Sequence, residues 1–178
     1  MIFSQNYQIK WHDTDAARRV HPSGLLVYMQ ETANRQLEEL GPPLEKLRDE
    51  DGKGFILSRL ALAIYEPLHA YENIEVQTWI TESRGLSFNR CFRILRDGKT
   101  VAEAFTVWAL LELKTGNFVR VEDFHYNFDG EAPLELKVPM RIKIPRDVPL
   151  IEVGERKIAY SDIDYNMHMN NTKYPNML

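Results

Sequence analysis

A single cysteine, Cys91, stands in a chain of 178 residues, which excludes an intramolecular disulfide and any metal site built from cysteines. Cys91 lies in an alternating, strand-like segment and reads as a small structural thiol rather than a nucleophile. Histidine is also sparse. His12, His21, His69 and His125 are scattered through turns and segment ends without the spacing of metal ligands, so neither a metal nor a cofactor is expected. No apolar run approaches the ~20 residues of a membrane span. Residues Met1 to Asn6 lack the basic start and apolar stretch of a signal peptide, and the expected setting is the reduced cytoplasm. Positive charge is not in excess either. A net charge of −4 and a pI near 5.8 argue against a general affinity for nucleic acid or anionic membranes.

The remaining composition, 44% apolar and 27% charged residues, is that of a globular protein of one medium domain, or one domain and part of another. Phe3 to Trp11 alternates through Tyr7, Ile9 and Trp11, as a strand does, and runs into the polar stretch His12-Asp13-Thr14-Asp15. From Pro22 the period changes. Leu25, Met29, Ala33, Leu37 and Leu40 mark one face of a long helix, which Gly41-Pro42-Pro43 ends. Leu44 to Glu50 reads as a short charged helical turn. Strands follow over Phe55 to Tyr65, Asn73 to Glu82, Leu86 to Arg96, Val101 to Leu113 and Phe118 to Val121, with Asp97-Gly98 as a hairpin turn. Phe124 to Leu150 holds Pro133, Pro139, Pro145 and Pro149 and reads as an extended connector. Glu155 to Tyr160 is a further predicted strand.

One strand, one long helix and then a series of antiparallel strands is an α+β arrangement. A helix that is long yet apolar on one face suits a sheet wrapped around it, which is the shape of a hotdog fold.

Most of the chemistry is concentrated in Ser161 to Asn171. Asp164, Asn166 and His168 place a carboxylate, an amide and an imidazole at alternate positions, followed by Asn170 and Asn171. These groups can together hold a water, tune a base and donate to a developing oxyanion. Aspartate and asparagine are also common helix caps, so the same residues taken singly fit a structural role. The region echoes the start of the chain at a constant offset: Ile9 corresponds to Ile158, Trp11 to Tyr160, Asp13 to Asp162 and Asp15 to Asp164. An echo over this distance points to tandem copies of one fold. Where the later copy has Asn166 and His168, the earlier has Ala17 and Arg19, so only the later copy carries reactive groups.

The run from Asp164 to Tyr174 resembles the active-site signature of the acyl-acyl-carrier-protein thioesterases. The resemblance extends from Phe3 through Gln30-Glu31-Thr32-Ala33 to Leu178. It implies two hotdog halves joined by a long linker: 1–125 as a first hotdog for packing and substrate, 126–150 as linker, and 151–178 as the start of a second, incomplete hotdog bearing the motif. In that family a further catalytic carboxylate or cysteine lies on a later strand, beyond Leu178. The implied reaction is hydrolysis of fatty acyl-acyl-carrier-protein thioesters, releasing free fatty acid in fatty acid biosynthesis, without cofactor.

On this reading His168 is the base or nucleophile-activating group, Asn166 orients the imidazole or binds the carbonyl oxygen, and Asp164 holds charge and water. A helix beginning after Asn170-Asn171 would offer free N–H groups to the oxyanion. Leu25, Met29, Phe88 and Trp108 either line an acyl slot or belong to the core. The acidic carrier protein is the implied partner, and Arg18, Arg19, Arg90, Arg93, Arg96 and Lys99 either meet it or form a solvated face. Neither nucleic acid nor a membrane is an expected partner; the expectation is either a homodimer or an ordered fragment of a longer product. An acyl-CoA thioesterase, or a non-catalytic acyl-binding module if the chain ends at Leu178, are the alternative readings.

Overall fold

A computed structural model describes residues 1–136 and 145–177. Part of the predicted connector, 137–144, lies outside them. Strand β1 (Phe3–Gln8) leads through a 3-10 turn into helix α1 (Pro22–Leu40), then helix α2 (Leu44–Asp49) and strands β2 (Lys53–Ile64), β3 (Asn73–Ile80), β4 (Phe88–Arg96), β5 (Lys99–Glu112) and β6 (Phe118–Val119). The strands form one antiparallel sheet in the order β1-β3-β4-β5-β2, and β6 pairs with the end of β5.

Pro22 at the first turn of α1 presets the helical φ, and Gly41 ends it at φ +84° with its N–H donating to the Leu37 carbonyl. The predicted apolar face is the buried one: Leu25, Met29, Ala33 and Leu37 turn inward. The first three meet the residues that alternation points to the same side of the sheet, among them Val76, Phe92, Ile94, Ala102 and Ala104, and Leu37 packs with Ile80 and Phe128. This is a sheet curved over one helix, the hotdog arrangement expected. Between β4 and β5, Asp97 and Gly98 both adopt positive φ (51° and 75°) and Arg96 pairs with Lys99. Two consecutive positive φ values give the turn whose twist matches its flanking strands.

Two expectations fail. No strand forms over Glu155 to Tyr160; 151–159 is irregular and exposed. Alternation alone makes no strand, because the backbone groups need a neighbouring strand to pair with, and none of the described strands lies alongside. The second helix is also not α-helical: Asn171–Met177 is a 3-10 helix with Pro175 inside it. It nevertheless docks on α1, with Thr172 buried.

The first part of the connector is extended, yet it packs. Phe124 and Tyr126 join Phe55 and Phe88 in a group of mostly edge-to-face rings. Phe128 is buried, and the Trp79 indole N–H donates to the Ala132 carbonyl at 2.9 Å. This segment closes one end of the space between helix and sheet.

Candidate active site

The motif folds into a tight loop held by its own backbone. The Asp164 N–H donates to the His168 carbonyl (2.9 Å), that of Met167 to the Asp164 carbonyl (3.0 Å), and that of Asn170 to the Asp162 carbonyl (2.8 Å). Near the chain start the same three bonds link Asp15 to Arg19 (2.8 Å), Arg18 to Asp15 (2.9 Å) and His21 to Asp13 (3.0 Å). Each loop follows a 3-10 turn, Trp11–Asp13 or Tyr160–Asp162. Each also has one positive φ at the same place, 62° at Arg18 and 61° at Met167, and each closes with an isolated bridge, Thr14 to Val20 or Ile163 to Met169. The echo in sequence is therefore one loop conformation used twice.

Aspartate anchors both loops. The Asp15 carboxylate accepts the N–H of Ala17 (2.8 Å) and of Arg19 (3.0 Å), and these bonds hold its pKa below the usual carboxylate range, that of Arg19 most strongly. Asp164 accepts the N–H of Asn166 at 2.9 Å. Asp162 is buried and holds the loop from below, accepting from the Ala159 N–H (3.0 Å) and from Arg156 (2.8 Å). The Ala159 bond is the main cause of its lowered pKa, with Arg156 adding to it. Sequence reading had matched Asp162 to Asp13 without assigning it this role.

The loop sits at the rim of a cavity of about 400 Å³ between α1, α2 and the sheet, within the usual range for small-molecule sites. Asp164 and Asn166 line it, together with Tyr165, Asn170 and Asn171. His168 is exposed and is not among the lining residues. The three predicted residues thus share one loop, but only two face the cavity, and among the described residues no hydrogen bond joins their side chains. Tyr165 fastens the loop to α2: its hydroxyl donates to Asp49 at 2.9 Å, and the Arg48 guanidinium lies 4.0 Å from its ring centre. Sequence reading missed Tyr165, whose place between Asp164 and Asn166 was its one signal.

Beyond the rim the wall is mixed: Leu37, Leu47, Phe55, Phe88 and Trp108 form an apolar part with Arg90 and Tyr126, and polar side chains of α1 and α2 such as Asn34, Glu38 and Arg48 form the rest. Of the four residues weighed between slot and core, Phe88 and Trp108 face the cavity, whereas Leu25 and Met29 belong to the main core.

Two further expectations are corrected. Two N–H groups after Asn171 are already engaged: Thr172 donates to the Asn170 side chain (2.9 Å) and Lys173 to the Asn170 carbonyl (2.9 Å). Nor is the basic set one patch. Arg90 is buried, Arg93 pairs with Glu103 at 2.8 Å, and Arg96 pairs with Glu66 and Glu72.

A family model described as the acyl-ACP thioesterase N-terminal domain matches residues 1–127. The chain belongs to the acyl-ACP thioesterase family. Over 98% of its length it is 21% identical to a chloroplastic acyl-[acyl-carrier-protein] hydrolase of Cuphea viscosissima, of which the match covers 45%. The chain thus spans about half the length of the curated relatives it matches. An acyl-ACP thioesterase from Bacteroides thetaiotaomicron superposes with a TM-score of 0.81 at 29% identity, covering 99% of this chain and 71% of that one. The 12:0-ACP thioesterase from Umbellularia californica superposes with a TM-score of 0.78 at 17% identity, covering 97% and 72% respectively, a likeness of fold. Within the described residues no helix is long and apolar enough to cross a membrane.

Proposed function

We propose that this acyl-ACP thioesterase chain hydrolyses the thioester between a fatty acyl group and its acyl carrier protein, releasing the free fatty acid. The observation that carries the reading is the shared wall of the cavity, where apolar residues of helix and sheet meet Asp164 and Asn166 of the motif loop. A chain laid along Phe55, Phe88 and Trp108 would bring its thioester to that rim.

Thioesters are activated acyl groups, so the work is to orient the carbonyl, polarise it and deliver water. We assign the polarising donors to the side-chain amides of Asn166 and Asn170, because the backbone N–H groups of Asn166, Asn170, Thr172 and Lys173 are engaged. One such donor is worth about 10²–10³ in rate in comparable sites. Asp164 holds the attacking water with the carboxylate oxygen that does not accept from Asn166. His168 acts from outside the rim as the base that takes the water's proton. Residues 1–125 then form the substrate-holding hotdog and 126–150 the linker. Residues 151–178 begin a second hotdog, whose sheet would pair along β2, one of the sheet's two outer strands. A homodimer would use the same edge, and the setting we assign is the cytoplasm.

The test is turnover of a matched pair, the same acyl chain on carrier protein and on CoA, by wild type, Asn166→Ala and His168→Ala. We expect the carrier-bound substrate to be preferred and both variants to lose at least about a hundredfold in kcat. Preference for the CoA substrate would move the chain to the acyl-CoA thioesterases. Unchanged turnover in His168→Ala would remove the base from the account.

A further inference from the structure

Arg90 is the least expected residue in the fold. It projects from β4 between Phe88 and Phe92 on the face packed against α1 and is only 5% exposed. Its Nη1 donates to the Gln36 side-chain oxygen on α1 and to Thr78 Oγ1 on β3, the latter at 3.0 Å. Among the described residues it has no carboxylate partner. Burial pushes its pKa down, and the Tyr126 hydroxyl is close enough to act on it. Removing a guanidinium from water without a counter-charge is costly, and such a charge is normally paired.

The oxygens around Arg90 are neutral, and among the described residues none carries a counter-charge. Gln36 is fully buried, and among the described residues its Nε2 has no hydrogen-bond partner. Flipping the amide does not help, since its oxygen is fixed by the guanidinium it faces. Arg90 is hydrogen-bonded but its charge is uncompensated, and an unpaired buried amide N–H lies next to it; an oxygen acceptor on a ligand, preferably anionic, would offset the charge. Arg90 and Tyr126 also line the cavity whose rim carries Asp164 and Asn166, so a ligand reaching in from that rim can supply it.

We propose that Arg90, held in place by Gln36 and Thr78 and with Tyr126 beside it in the cavity wall, binds an oxygen atom near the far end of the acyl chain, making the site selective for oxygen-bearing chains over plain hydrocarbon chains of equal length. The proposal rests on the reading of the cavity as the acyl site. A hydroxyl would satisfy the donors, and a terminal carboxylate would satisfy both donors and charge.

The experiment measures binding rather than turnover. Acyl-pantetheine amides, which resist hydrolysis, are prepared at one chain length with a methyl, hydroxyl or carboxylate end and titrated calorimetrically into the 178-residue chain. The oxygen-ended ligands are expected to bind at least about tenfold more tightly than the methyl-ended one, and the carboxylate tightest if charge matters as well as hydrogen bonding. In Arg90→Met the ratio should fall towards one. Arg90→Lys should retain part of it, and it serves with Gln36→Met if Arg90→Met does not fold. Melting temperatures separate this from a structural role: an arginine that only ties α1 to the sheet would lower the melting point when replaced and leave the ratio intact. Equal or tighter binding of the methyl-ended ligand, or a ratio that survives in Arg90→Met, overturns the proposal while leaving the cavity an acyl site. Failure of all three ligands to bind overturns both.

Discussion

Replacing Phe88 by alanine tests packing and cavity together. The ring is 2% exposed, backs the cavity and stands edge-on to Phe55 at 5.4 Å and to Phe124 at 5.7 Å. Losing the burial of a phenylalanine costs about 2–3 kcal/mol, and each edge-to-face pair about 0.5–1.5 kcal/mol more. Partial collapse of Phe55 and Phe124 into the space would recover some of this, which leaves an expected loss of about 3–5 kcal/mol. That is a large share of the ~5–15 kcal/mol that holds a domain together. Urea titration with an unchanged m-value would report it as a shift of midpoint. The enlarged cavity should also move chain-length preference upward in competition between acyl thioesters. Phe88→Leu, which keeps most of the volume, should cost about 1–1.5 kcal/mol and shift the preference little. A loss below about 1 kcal/mol in Phe88→Ala would show that the aromatic group is not packed as described. A large loss with an unaltered chain-length profile would show that acyl chains do not reach it.

Other groups offer independent checks. The Tyr28 pKa is pushed up to about 12 by burial first and by its 2.6 Å hydrogen bond to Asp13 second. The folded state holds this proton more tightly than the unfolded one, so its contribution is complete below the ordinary tyrosine pKa of 10.0. It is lost as pH rises from there towards 12. Tyr28→Phe should flatten the alkaline fall in stability across that window, and an unchanged slope would place the titration elsewhere. Cys91 is 0% exposed and its thiol is pushed up by burial, so alkylation at neutral pH should follow global unfolding and vanish in native buffer. Rapid labelling of native protein would contradict the packing of β4.

The fold was legible because its signals are local. Leu25, Met29, Ala33 and Leu37 recur at helical spacing, the strands alternate, and Asp97-Gly98 suits only a narrow class of turn. The site was legible as a list of types but not as an arrangement. Nothing in the spacing of Asp164, Asn166 and His168 tells which side chains face a cavity that helices α1 and α2 help to build. Glu155 to Tyr160 misled because pairing, which periodicity cannot report, makes a strand. Arg90 and Gln36 were invisible as partners for a related reason: they lie far apart in sequence, and only packing α1 onto β4 brings them into contact. The repeat was the opposite case. A few matched residues, chiefly two aspartates, stood for a loop whose backbone hydrogen bonds are duplicated from end to end.

The most direct test of the account is the location of a bound acyl chain. A crystal structure with a hydrolysis-resistant acyl-pantetheine amide should place the chain along Phe55, Phe88 and Trp108, with its carbonyl beside Asn166 and Asn170 at the cavity rim. A ligand bound elsewhere, or with its carbonyl away from the loop of Asp164 and Asn166, would contradict it.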